Sequence, residues 1–161
     1  ITHPFISVEL HTSFTDIPAS TFNKLIFTGP IDEYFQCMFG KLPYRSLRFE
    51  FETHNKEFYQ PVAQVNYPNT YDYTRITEFK HITGQHHPKT TIAKEYSQES
   101  GEPYYPIPND DNATLYKLYG DEAKKLKTVH FVGRLATYRY YNMDQVTAQA
   151  LKTFEEIAQR L

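Results

Sequence analysis

Residues 131–145 have the sequence FVGRLATYRYYNMDQ, and this stretch decides how the C-terminal part of the chain is organised. A short apolar run, residues 129–132, stops at Gly133, and Arg134 follows at once. A tyrosine-rich linker then leads to Asn142, a residue type that is favoured at helix N-termini. In open α/β sheets, phosphorylated cofactors bind where a strand ends beside a helix N-terminus. The stretch therefore predicts a site for a phosphorylated ligand.

Length and composition describe one domain or a piece of a larger protein. The chain has 161 residues, starts at Ile1 and shows no signal or transit pattern. No apolar run approaches the roughly 20 residues of a membrane span, so no membrane partner is expected. The single cysteine, Cys37, excludes an internal disulfide and is typical of a reducing compartment such as the cytoplasm. The net charge of −2 argues against a nucleic-acid partner.

Aromatic residues make up 16% of the chain, with 14 Tyr, 12 Phe and no Trp. Phe supplies core surface, whereas Tyr adds a polar hydroxyl to a flat ring. So many tyrosines favour a polar, ring-shaped or phosphorylated ligand. An antiparallel sheet rich in β-forming residues would also explain them.

Alternation of apolar and polar residues predicts a series of strands in the first two-thirds of the chain. The expected strands are residues 5–10, 24–28, 46–52, 60–67, 74–82 and 90–96. Residues 84–88 predict a hairpin loop, and short loops between consecutive strands predict antiparallel pairing. A turn or short helix is expected at 16–22, and a short helix at 31–39 that ends at Gly40.

The last third of the chain has a helix–strand–helix pattern. Prolines fix residues 104–108 in an extended form, and helices at 112–126 and 142–161 flank a strand at 128–132. Asn142 and Gln145 are spaced for a capping box at the start of the last helix. Its apolar stripe, which we expect to be buried, consists of Met143, Val146, Ala150, Phe154, Ile157 and Leu161. We expect this strand and helix to pack against a layer that lies outside the 161 residues.

Three arginines at the edges of predicted strands are candidates for binding phosphate: Arg45, Arg75 and Arg134. The planar guanidinium group donates two parallel hydrogen bonds to phosphate oxygens, although an exposed strand arginine can also simply lie along a sheet. Glu95 could pair with Arg75 across a hairpin, or could be a solvated surface acid. The tyrosines at 104–105 and 138–141 could donate hydroxyls to phosphate or sugar oxygens, or could be aromatic core.

Other chemistries are not supported by the sequence. The pair His86-His87 has no acid or cysteine at ligand spacing, so no metal site is predicted. Cys37 lacks a His or Asp partner in a catalytic motif. Neither a GxGxxG motif nor a P-loop is present, so the chain has no phosphate-binding loop of its own.

Seven motifs occur in order from residue 28 to residue 144: TGPIDEYF (28–35), LPYRSLRFE (42–50), VNY (65–67), YTRITE (73–78), KEYS (94–97), PYYP (103–106) and GRLATYRYYNMD (133–144). Together they closely resemble the C-terminal half of bacterial UDP-galactopyranose mutases. The resemblance implies a flavoenzyme that interconverts UDP-galactopyranose and UDP-galactofuranose. It implies reduced FAD as the cofactor, whose N5 attacks the anomeric carbon and displaces UDP.

The resemblance also implies the fold class and domain organisation. It predicts an α+β fold with a mainly antiparallel sheet of about six strands and flanking helices, plus a final strand and helix that complete an FAD-binding Rossmann-like domain. Residues 1–108 would form the substrate-binding domain, and residues 109–161 would close the FAD-binding domain. The family's N-terminal glycine-rich FAD motif and its helical domain are absent from the sequence. We therefore expect a fragment that is inactive alone, from an enzyme that is a homodimer.

The resemblance assigns roles to individual residues. Arg75 and Glu95 are expected to be catalytic, with Arg75 at the UDP diphosphate, which leaves with added negative charge. The residues expected to bind substrate are Asn66, Arg75, Tyr105, Tyr140 and Asn142. Those expected to bind FAD are Arg45, Arg134, Met143 and Asp144. Asn142 stands where many members carry an acid; it lacks the charge for acid/base chemistry but can hydrogen-bond substrate.

Two other functions fit parts of the sequence. Another FAD flavoprotein of amine-oxidase-like architecture would share the last strand and helix, but has no need of Arg75 and the paired tyrosines. A non-catalytic sugar-nucleotide-binding module would need only tyrosine stacking.

Overall fold

The computed structural model describes residues 3–159 of the chain. After two 3₁₀ turns, Phe14–Asp16 and Ala19–Thr21, the elements are β1 (Leu25–Phe27), α1 (Ile31–Tyr34), β2 (Tyr44–His54), β3 (Gln64–Asn66), β4 (Arg75–Glu78), α2 (Lys80–Thr83), β5 (Thr90–Gln98), β6 (Tyr105–Pro106), α3 (Asp110–Ala123), β7 (Val129–Phe131) and α4 (Met143–Ala158). No helix within residues 3–159 combines the length and the apolar character needed to cross a membrane.

Five strands form an antiparallel sheet in the order β3-β4-β5-β2-β6. The longest ladder joins β2 to β5, from Ser46 opposite Gln98 to His54 opposite Thr90. The antiparallel sheet and the strands predicted at 46–52 and 90–96 are confirmed, although the sheet has five strands rather than about six. Facing side chains alternate between the two sides of this ladder, which is why the sequence alternates there.

The strands β1 and β7 form a separate parallel pair, with Leu25 opposite Val129 and Phe27 opposite Phe131. Backbone hydrogen bonds extend the pair at both ends, because Leu25 N–H donates to Thr128 O and Val132 N–H donates to Phe27 O. The strands predicted at 24–28 and 128–132 are therefore confirmed. This pair joins the segment before α1 to the segment between α3 and α4.

The hydrophobic core lies beside the parallel pair, between α1, α3 and the segment after β7. The buried members of this cluster are Ile31, Leu42, Tyr119 and Tyr138, while Ile76, Ile92 and Ala93 are buried on the sheet strands β4 and β5. Tyr119 is fully buried, and its hydroxyl donates to Gly40 O at 2.6 Å, so the polar end of this core ring is satisfied.

Asp32 attaches the start of β2 to this core. Its buried carboxylate accepts hydrogen bonds from Leu42 N–H at 3.0 Å and from the Tyr44 hydroxyl at 3.2 Å. The same hydroxyl lies 3.4 Å from Leu135 O, in the segment that follows β7. Burial and the nearby Asp32 carboxylate raise the pKa of Tyr44 far above its ordinary value, so the phenol stays protonated and remains a donor.

Glu78 fastens a loop to the far end of the sheet. Its fully buried carboxylate accepts from the backbone N–H of Tyr59 and Gln60, at 2.8 and 2.9 Å, and from the Thr90 hydroxyl at 2.5 Å. Burial favours the neutral acid, but these hydrogen bonds and the nearby His81 favour the carboxylate more strongly. As a result the pKa of Glu78 is lower than usual.

Several predicted elements differ from the structure. Residues 5–10 do not form a strand, and Phe5 is 91% exposed, because no neighbouring strand pairs with this segment within the described residues. Two predicted strands are shorter than expected, since only Gln64–Asn66 and Arg75–Glu78 are paired and a helical turn follows the latter. The helix predicted at 31–39 ends at Tyr34, where Gln36 and Cys37 take positive φ values of 53° and 54°.

The apolar stripe of α4 is only partly buried. Asn142 is the N-cap, as predicted, and its backbone N–H donates to Gln145 Oε1 at 2.9 Å. Ile157 is buried and Val146 partly so, but burial of the other described members was predicted wrongly: Met143 (82% exposed), Phe154 (63%) and Ala150 are exposed. Leu161 lies outside the described residues. The helix therefore presents an open apolar face that the described residues do not cover.

The lowered pKa of Glu78 predicts a pH-dependent contribution to stability. A carboxylate whose pKa falls on folding stabilises the protein above its unfolded pKa, about 4.3, and this contribution is lost on acidification. We expect Glu78→Gln to lower the free energy of unfolding by roughly 1–3 kcal/mol at pH 7. The difference from the unaltered protein should shrink towards pH 3.

Urea unfolding of both proteins at several pH values checks this prediction. Glu99→Gln, which changes an exposed carboxylate, is the matched control and should leave the pH dependence unchanged. A Glu78→Gln effect that is equal at pH 7 and pH 3 would contradict the stabilising role of the ionised carboxylate.

Candidate functional site

The register of the antiparallel sheet places four side chains in one row across four strands. The row consists of Phe49, Glu95, Arg75 and Asn66, which face one another in pairs on β2, β5, β4 and β3. Directly opposed residues of an antiparallel sheet lie on the same face, so these side chains are neighbours. Three of the four are residues for which the sequence predicted a role.

Arg75 is held from both sides within this row. Its Nε donates a hydrogen bond to Asn66 Oδ1 at 2.9 Å, and its Nη1 lies 3.6 Å from Glu95 Oε2. The pairing of Arg75 with Glu95, one of two alternatives left by the sequence, is thus present in the structure. A guanidinium group has five N–H donors, so Arg75 keeps donors for an anion after both contacts are made.

A second group forms where β6 meets the segment after β7. The rings of Tyr105 and Tyr140 stack with their centroids 5.3 Å apart and their planes 28° from parallel. The Arg134 guanidinium carbon lies 5.3 Å from the centre of the Tyr105 ring, and Arg134 Nε donates to Tyr141 O at 2.6 Å. The cation and the two rings thus form one layered cluster.

An open cleft of about 410 Å³ reaches the row through Glu95 and the cluster through Tyr105 and Tyr140, although Arg75 and Asn66 themselves do not line it. Its lining residues are Arg45, Leu47, Thr74, Glu95, Ser97, Tyr105, Pro106, Pro108 and Tyr140. Arg45 lies opposite Tyr105 in the sheet and forms no ion pair within residues 3–159. One unpaired cation and several hydroxyl groups around a shared opening suit a polar, anionic ligand.

Two hydroxyl residues of this cleft, Thr74 and Ser97, were not singled out from the sequence. Thr74 immediately precedes Arg75 and the start of β4, and Ser97 lies two positions after Glu95 in β5. The sequence does not give the register that brings these two strands together. Alternation along β5 places Ser97 on the face of Glu95, and that signal could have identified it.

A second cleft, of about 570 Å³, lies at the start of α4. Arg134, Leu135, Met143, Val146 and Thr147 line it, together with Pro103 and Tyr104. Most of these side chains are apolar, and the first turn of α4 supplies backbone N–H groups that are not used within the helix. An apolar wall beside a cation and a helix N-terminus suits a flat ligand that carries negative charge.

In the turn after β7, Tyr138 and Tyr140 point to different places. Gly133 has φ +97°, and its N–H donates to Gln149 Oε1 at 3.0 Å, which ties the turn to α4. Tyr138 points into the core and its hydroxyl donates to Pro43 O, whereas Tyr140 is 64% exposed at the cleft. Two residues that the sequence grouped together therefore serve packing in one case and the cleft in the other.

The structure gathers most of the predicted site residues into these two neighbouring regions. Asn66, Arg75 and Glu95 form the row, and Arg134, Tyr105 and Tyr140 form the cluster. Met143 lines the second cleft, while Asn142 and Asp144 are exposed at the N-terminus of α4 and line neither cleft. Among residues 3–159 no group of three or more His, Cys, Asp or Glu side chains is placed to hold a metal ion.

Comparison with known proteins agrees with the motifs. A family model described as UDP-galactopyranose mutase matches residues 1–140. A probable UDP-galactopyranose mutase of Klebsiella pneumoniae is 39% identical over 159 residues, covering 96% of this chain and 41% of the relative. A UDP-galactopyranose mutase of Mycoplasma genitalium is 38% identical over 142 residues, covering 83% and 35%. A dTDP-fucopyranose mutase of Escherichia coli is 31% identical over 163 residues, covering 94% and 43%.

The chain belongs to the UDP-galactopyranose mutase family, as its ordered motifs predicted. The three relatives above are named as mutases of nucleotide sugars, which are isomerases, and two of the three are named for UDP-galactopyranose. The chain spans less than half the length of these relatives.

The geometry of the turn at Gly133 predicts the effect of adding a methyl group there. No atom lies within 4 Å of the Cβ position, so Gly133→Ala introduces no clash, but the φ of +97° is strained for alanine. We expect a loss of stability of roughly 1–2 kcal/mol from this strain alone. Thermal or urea unfolding measures it.

Gly120→Ala is the matched control. Gly120 lies inside α3, and the nearest atom to its Cβ position is 4.0 Å away, so alanine should stabilise the helix by roughly 0.5–1 kcal/mol. A Gly133→Ala protein that is as stable as the unaltered one would contradict the turn described above.

Proposed function

We propose that this chain is the C-terminal part of a UDP-galactopyranose mutase, an enzyme that interconverts UDP-galactopyranose and UDP-galactofuranose. The observation that carries the proposal is the Arg75 guanidinium, held between Glu95 and Asn66 beside a cleft into which Tyr105 and Tyr140 project. A fixed cation with phenolic donors nearby is the arrangement that a sugar-linked diphosphate requires. Family membership supports the same conclusion.

In this proposal the residues of the sheet act on the diphosphate. When the bond between the anomeric carbon and UDP breaks, the bonding electrons leave with the diphosphate, which gains negative charge. Arg75 and the hydroxyls of Tyr105 and Tyr140 would stabilise that charge more strongly in the transition state than in the bound substrate. Glu95 would act by holding Arg75 in place.

FAD is the proposed cofactor, and its reduced form would supply the nucleophile that bonds to the anomeric carbon as the bond to UDP breaks. The second cleft fits one side of such a group, because it combines Arg134, apolar side chains such as Met143 and the positive end of α4. Asp144 lies in the same first turn. The FAD role proposed for Arg45 requires the cofactor to reach the first cleft, which Arg45 lines.

Asn142 has a proposed role in binding substrate. Its backbone N–H is used by Gln145, while its exposed side chain stands at the N-terminus of α4. A neutral amide can donate to or accept from a sugar hydroxyl but cannot carry a proton between groups at neutral pH. We therefore assign hydrogen bonding rather than acid/base chemistry to Asn142.

We further propose that the chain is completed by a preceding segment with the FAD-binding and helical domains. The open apolar face of α4, which includes Met143, Leu151 and Phe154, supports this, as does the two-stranded parallel sheet with Ile26 53% exposed. Parallel sheets are normally covered on both faces. The proposed division is residues 1–108 for the substrate and 109–161 for the FAD-binding domain. A homodimeric, cytoplasmic enzyme is proposed from the family alone.

The two alternative functions explain less of the site. An amine-oxidase-like flavoprotein has no use for Arg75 between Asn66 and Glu95, or for the stacked tyrosines beside them. A sugar-nucleotide-binding module needs no reduced cofactor. Because one relative is a dTDP-fucopyranose mutase, dTDP-fucopyranose is the substrate to compare with UDP-galactopyranose.

Turnover by the full-length protein that contains this chain tests the proposal. With FAD reduced by dithionite, UDP-galactofuranose should be converted to UDP-galactopyranose, and conversion should stop when the flavin is oxidised. Arg75→Ala should lower kcat by about 10²–10³-fold, the range found when one transition-state donor is removed. Chromatography of the two nucleotide sugars measures the conversion, with dTDP-fucopyranose as the comparison substrate.

Arg48→Ala is the matched control for this experiment. Arg48 lies in β2 on the opposite face of the sheet, where it pairs with Glu50 and stacks over Tyr96. Its loss should leave kcat near that of the unaltered enzyme. Turnover that needs no reductant, or that survives Arg75→Ala at full rate, would contradict the proposed function.

The isolated chain should bind FAD weakly or not at all. Its second cleft covers only one side of a flavin, and the glycine-rich phosphate site is not in the sequence. Titration of residues 1–161 with FAD, followed by flavin fluorescence, measures the affinity. Saturation at submicromolar FAD would show that the chain holds a complete cofactor site and is not a fragment.

A further inference from the structure

We propose that Tyr138 is a positioning residue for the reaction, because its hydroxyl holds Tyr105 and Tyr140 in the arrangement that contacts the diphosphate. The inference rests on the proposed mutase function and extends it to a core residue that does not line the first cleft. Its basis is the pair of hydrogen bonds that join the Tyr138 hydroxyl to Pro43 and Ile107.

The backbone at Tyr138 takes a conformation that usually requires glycine. Thr137 N–H donates to Gly133 O at 3.0 Å. Arg139 N–H donates to Arg134 O at 3.1 Å, and Tyr138, between these two donors, has φ +47°. Glycine is the common residue at such a left-handed position, because a side chain strains it. Contacts of the Tyr138 side chain therefore have to hold the strained turn in place.

The ring of Tyr138 is fixed among other aromatic rings. It is buried, with its centroid 5.3 Å from that of Tyr44 and 5.9 Å from that of Tyr116. Side chains two residues apart in an extended chain point to the same side. The left-handed turn breaks this pattern, so that Tyr138 enters the core while Tyr140 stacks on Tyr105 at the cleft.

The hydroxyl of Tyr138 bridges two strands where their pairing ends. It donates to Pro43 O at 2.5 Å and accepts from Ile107 N–H at 3.4 Å. Pro43 and Ile107 are the next opposed residues beyond the β2–β6 pair, in which Tyr44 faces Pro106. The hydroxyl thus extends the attachment of β6 to β2. Burial raises the pKa of this phenol, so it stays protonated and remains a donor.

The strand β6 has few other means of attachment. It consists of Tyr105 and Pro106, and proline has no N–H to donate to a ladder. Ile107, which the hydroxyl contacts, lies two residues after Tyr105, and Tyr140 lies two residues after Tyr138. One hydroxyl therefore connects both segments that supply phenols to the proposed diphosphate site. Its loss would let the two rings shift relative to each other.

Positioning of this kind has a kinetic signature. The diphosphate gains negative charge only as the sugar–phosphate bond breaks, so a shift of Tyr105 or Tyr140 weakens transition-state binding more than substrate binding. Loss of the Tyr138 hydroxyl should then lower kcat and kcat/KM together. A role in packing alone would lower the stability and leave both constants unchanged in the folded enzyme.

Tyr138→Phe in the full-length, reduced enzyme tests the inference, with UDP-galactofuranose as substrate. The substitution keeps the ring and removes only the hydroxyl. We expect kcat per bound flavin to fall about tenfold with KM nearly unchanged, since misplacement of reacting groups by 1 Å costs up to about 10²-fold. In an enzyme that carries Tyr105→Phe and Tyr140→Phe, the same substitution should have no further effect on kcat.

Tyr119→Phe is the matched control. Tyr119 belongs to the same core cluster, and its hydroxyl likewise donates to a carbonyl, Gly40 O at 2.6 Å, and accepts from a backbone N–H, that of Phe39 at 3.1 Å. These bonds hold a segment that lines neither cleft. Both substitutions should lower the melting temperature by similar amounts, but only Tyr138→Phe should lower kcat.

Asn112→Ala is the second variant, in case Tyr138→Phe does not fold. Asn112 Nδ2 donates to Ile107 O at 2.7 Å, so its loss frees the same end of β6 and should also lower kcat. An unchanged kcat in that variant would count against the inference.

Three further outcomes would overturn the inference while leaving the proposed function intact. They are a kcat for Tyr138→Phe equal to that for Tyr119→Phe, a raised KM with normal kcat, and a full effect of Tyr138→Phe without the hydroxyls of Tyr105 and Tyr140. Absence of turnover in the unaltered, reduced enzyme would overturn both.

Discussion

The antiparallel pairing of β2 with β5 is the constraint on which the rest of the structure depends. It runs from Ser46 opposite Gln98 to His54 opposite Thr90; β4 joins β5, β6 joins β2, and β3 is attached through β4. A slip of one residue between β2 and β5 would place Glu95 on the opposite face from Arg45 and Leu47, with which it lines the cleft. Interactions on that other face help to hold the register, because the Arg48 guanidinium carbon lies 3.9 Å from the centre of the Tyr96 ring.

The same ladder connects the two halves of the site. Through β5 it positions Glu95 against Arg75 on β4, and through the start of β2 it positions Arg45 opposite Tyr105 on β6. The hydroxyl of Tyr44, next to Arg45, donates to Asp32 and lies 3.4 Å from Leu135 O in the turn after β7, so the hydrophobic core fixes the end of β2 that lines the cleft. The site therefore depends on the register of the sheet on one side and on the contact between Tyr44 and the buried Asp32 on the other.

Sequence reasoning succeeded where local pattern and tertiary contact agree. The strands at 46–52 and 90–96 alternate because each has two distinct faces, and Asn142 begins a helix because its own neighbours complete the cap. The pattern at 5–10 is just as regular, but alternation cannot supply a partner strand. The helix at 31–39 stops early because two residues take positive φ, which no composition rule anticipates.

The site was predictable in its residue types but not in its connections. Pairing of Arg75 with Glu95 follows from two strands joined by a short connection, whereas the bond from Arg75 to Asn66 depends on the register of a three-residue edge strand. The exposed stripe of α4 shows the limit in another way. The sequence predicts that an apolar face will be buried, but it cannot say whether the covering surface belongs to the same 161 residues.

The central claim is that the row across the sheet and the stacked tyrosines bind one diphosphate. The most direct test is a structure of the full-length, reduced protein with UDP bound. This account predicts diphosphate oxygens within roughly 2.7–3.2 Å of donors on Arg75, Tyr105 and Tyr140, with the Arg75–Asn66 bond retained. A diphosphate bound elsewhere, with Arg75 contacting only Glu95 and Asn66, would contradict it.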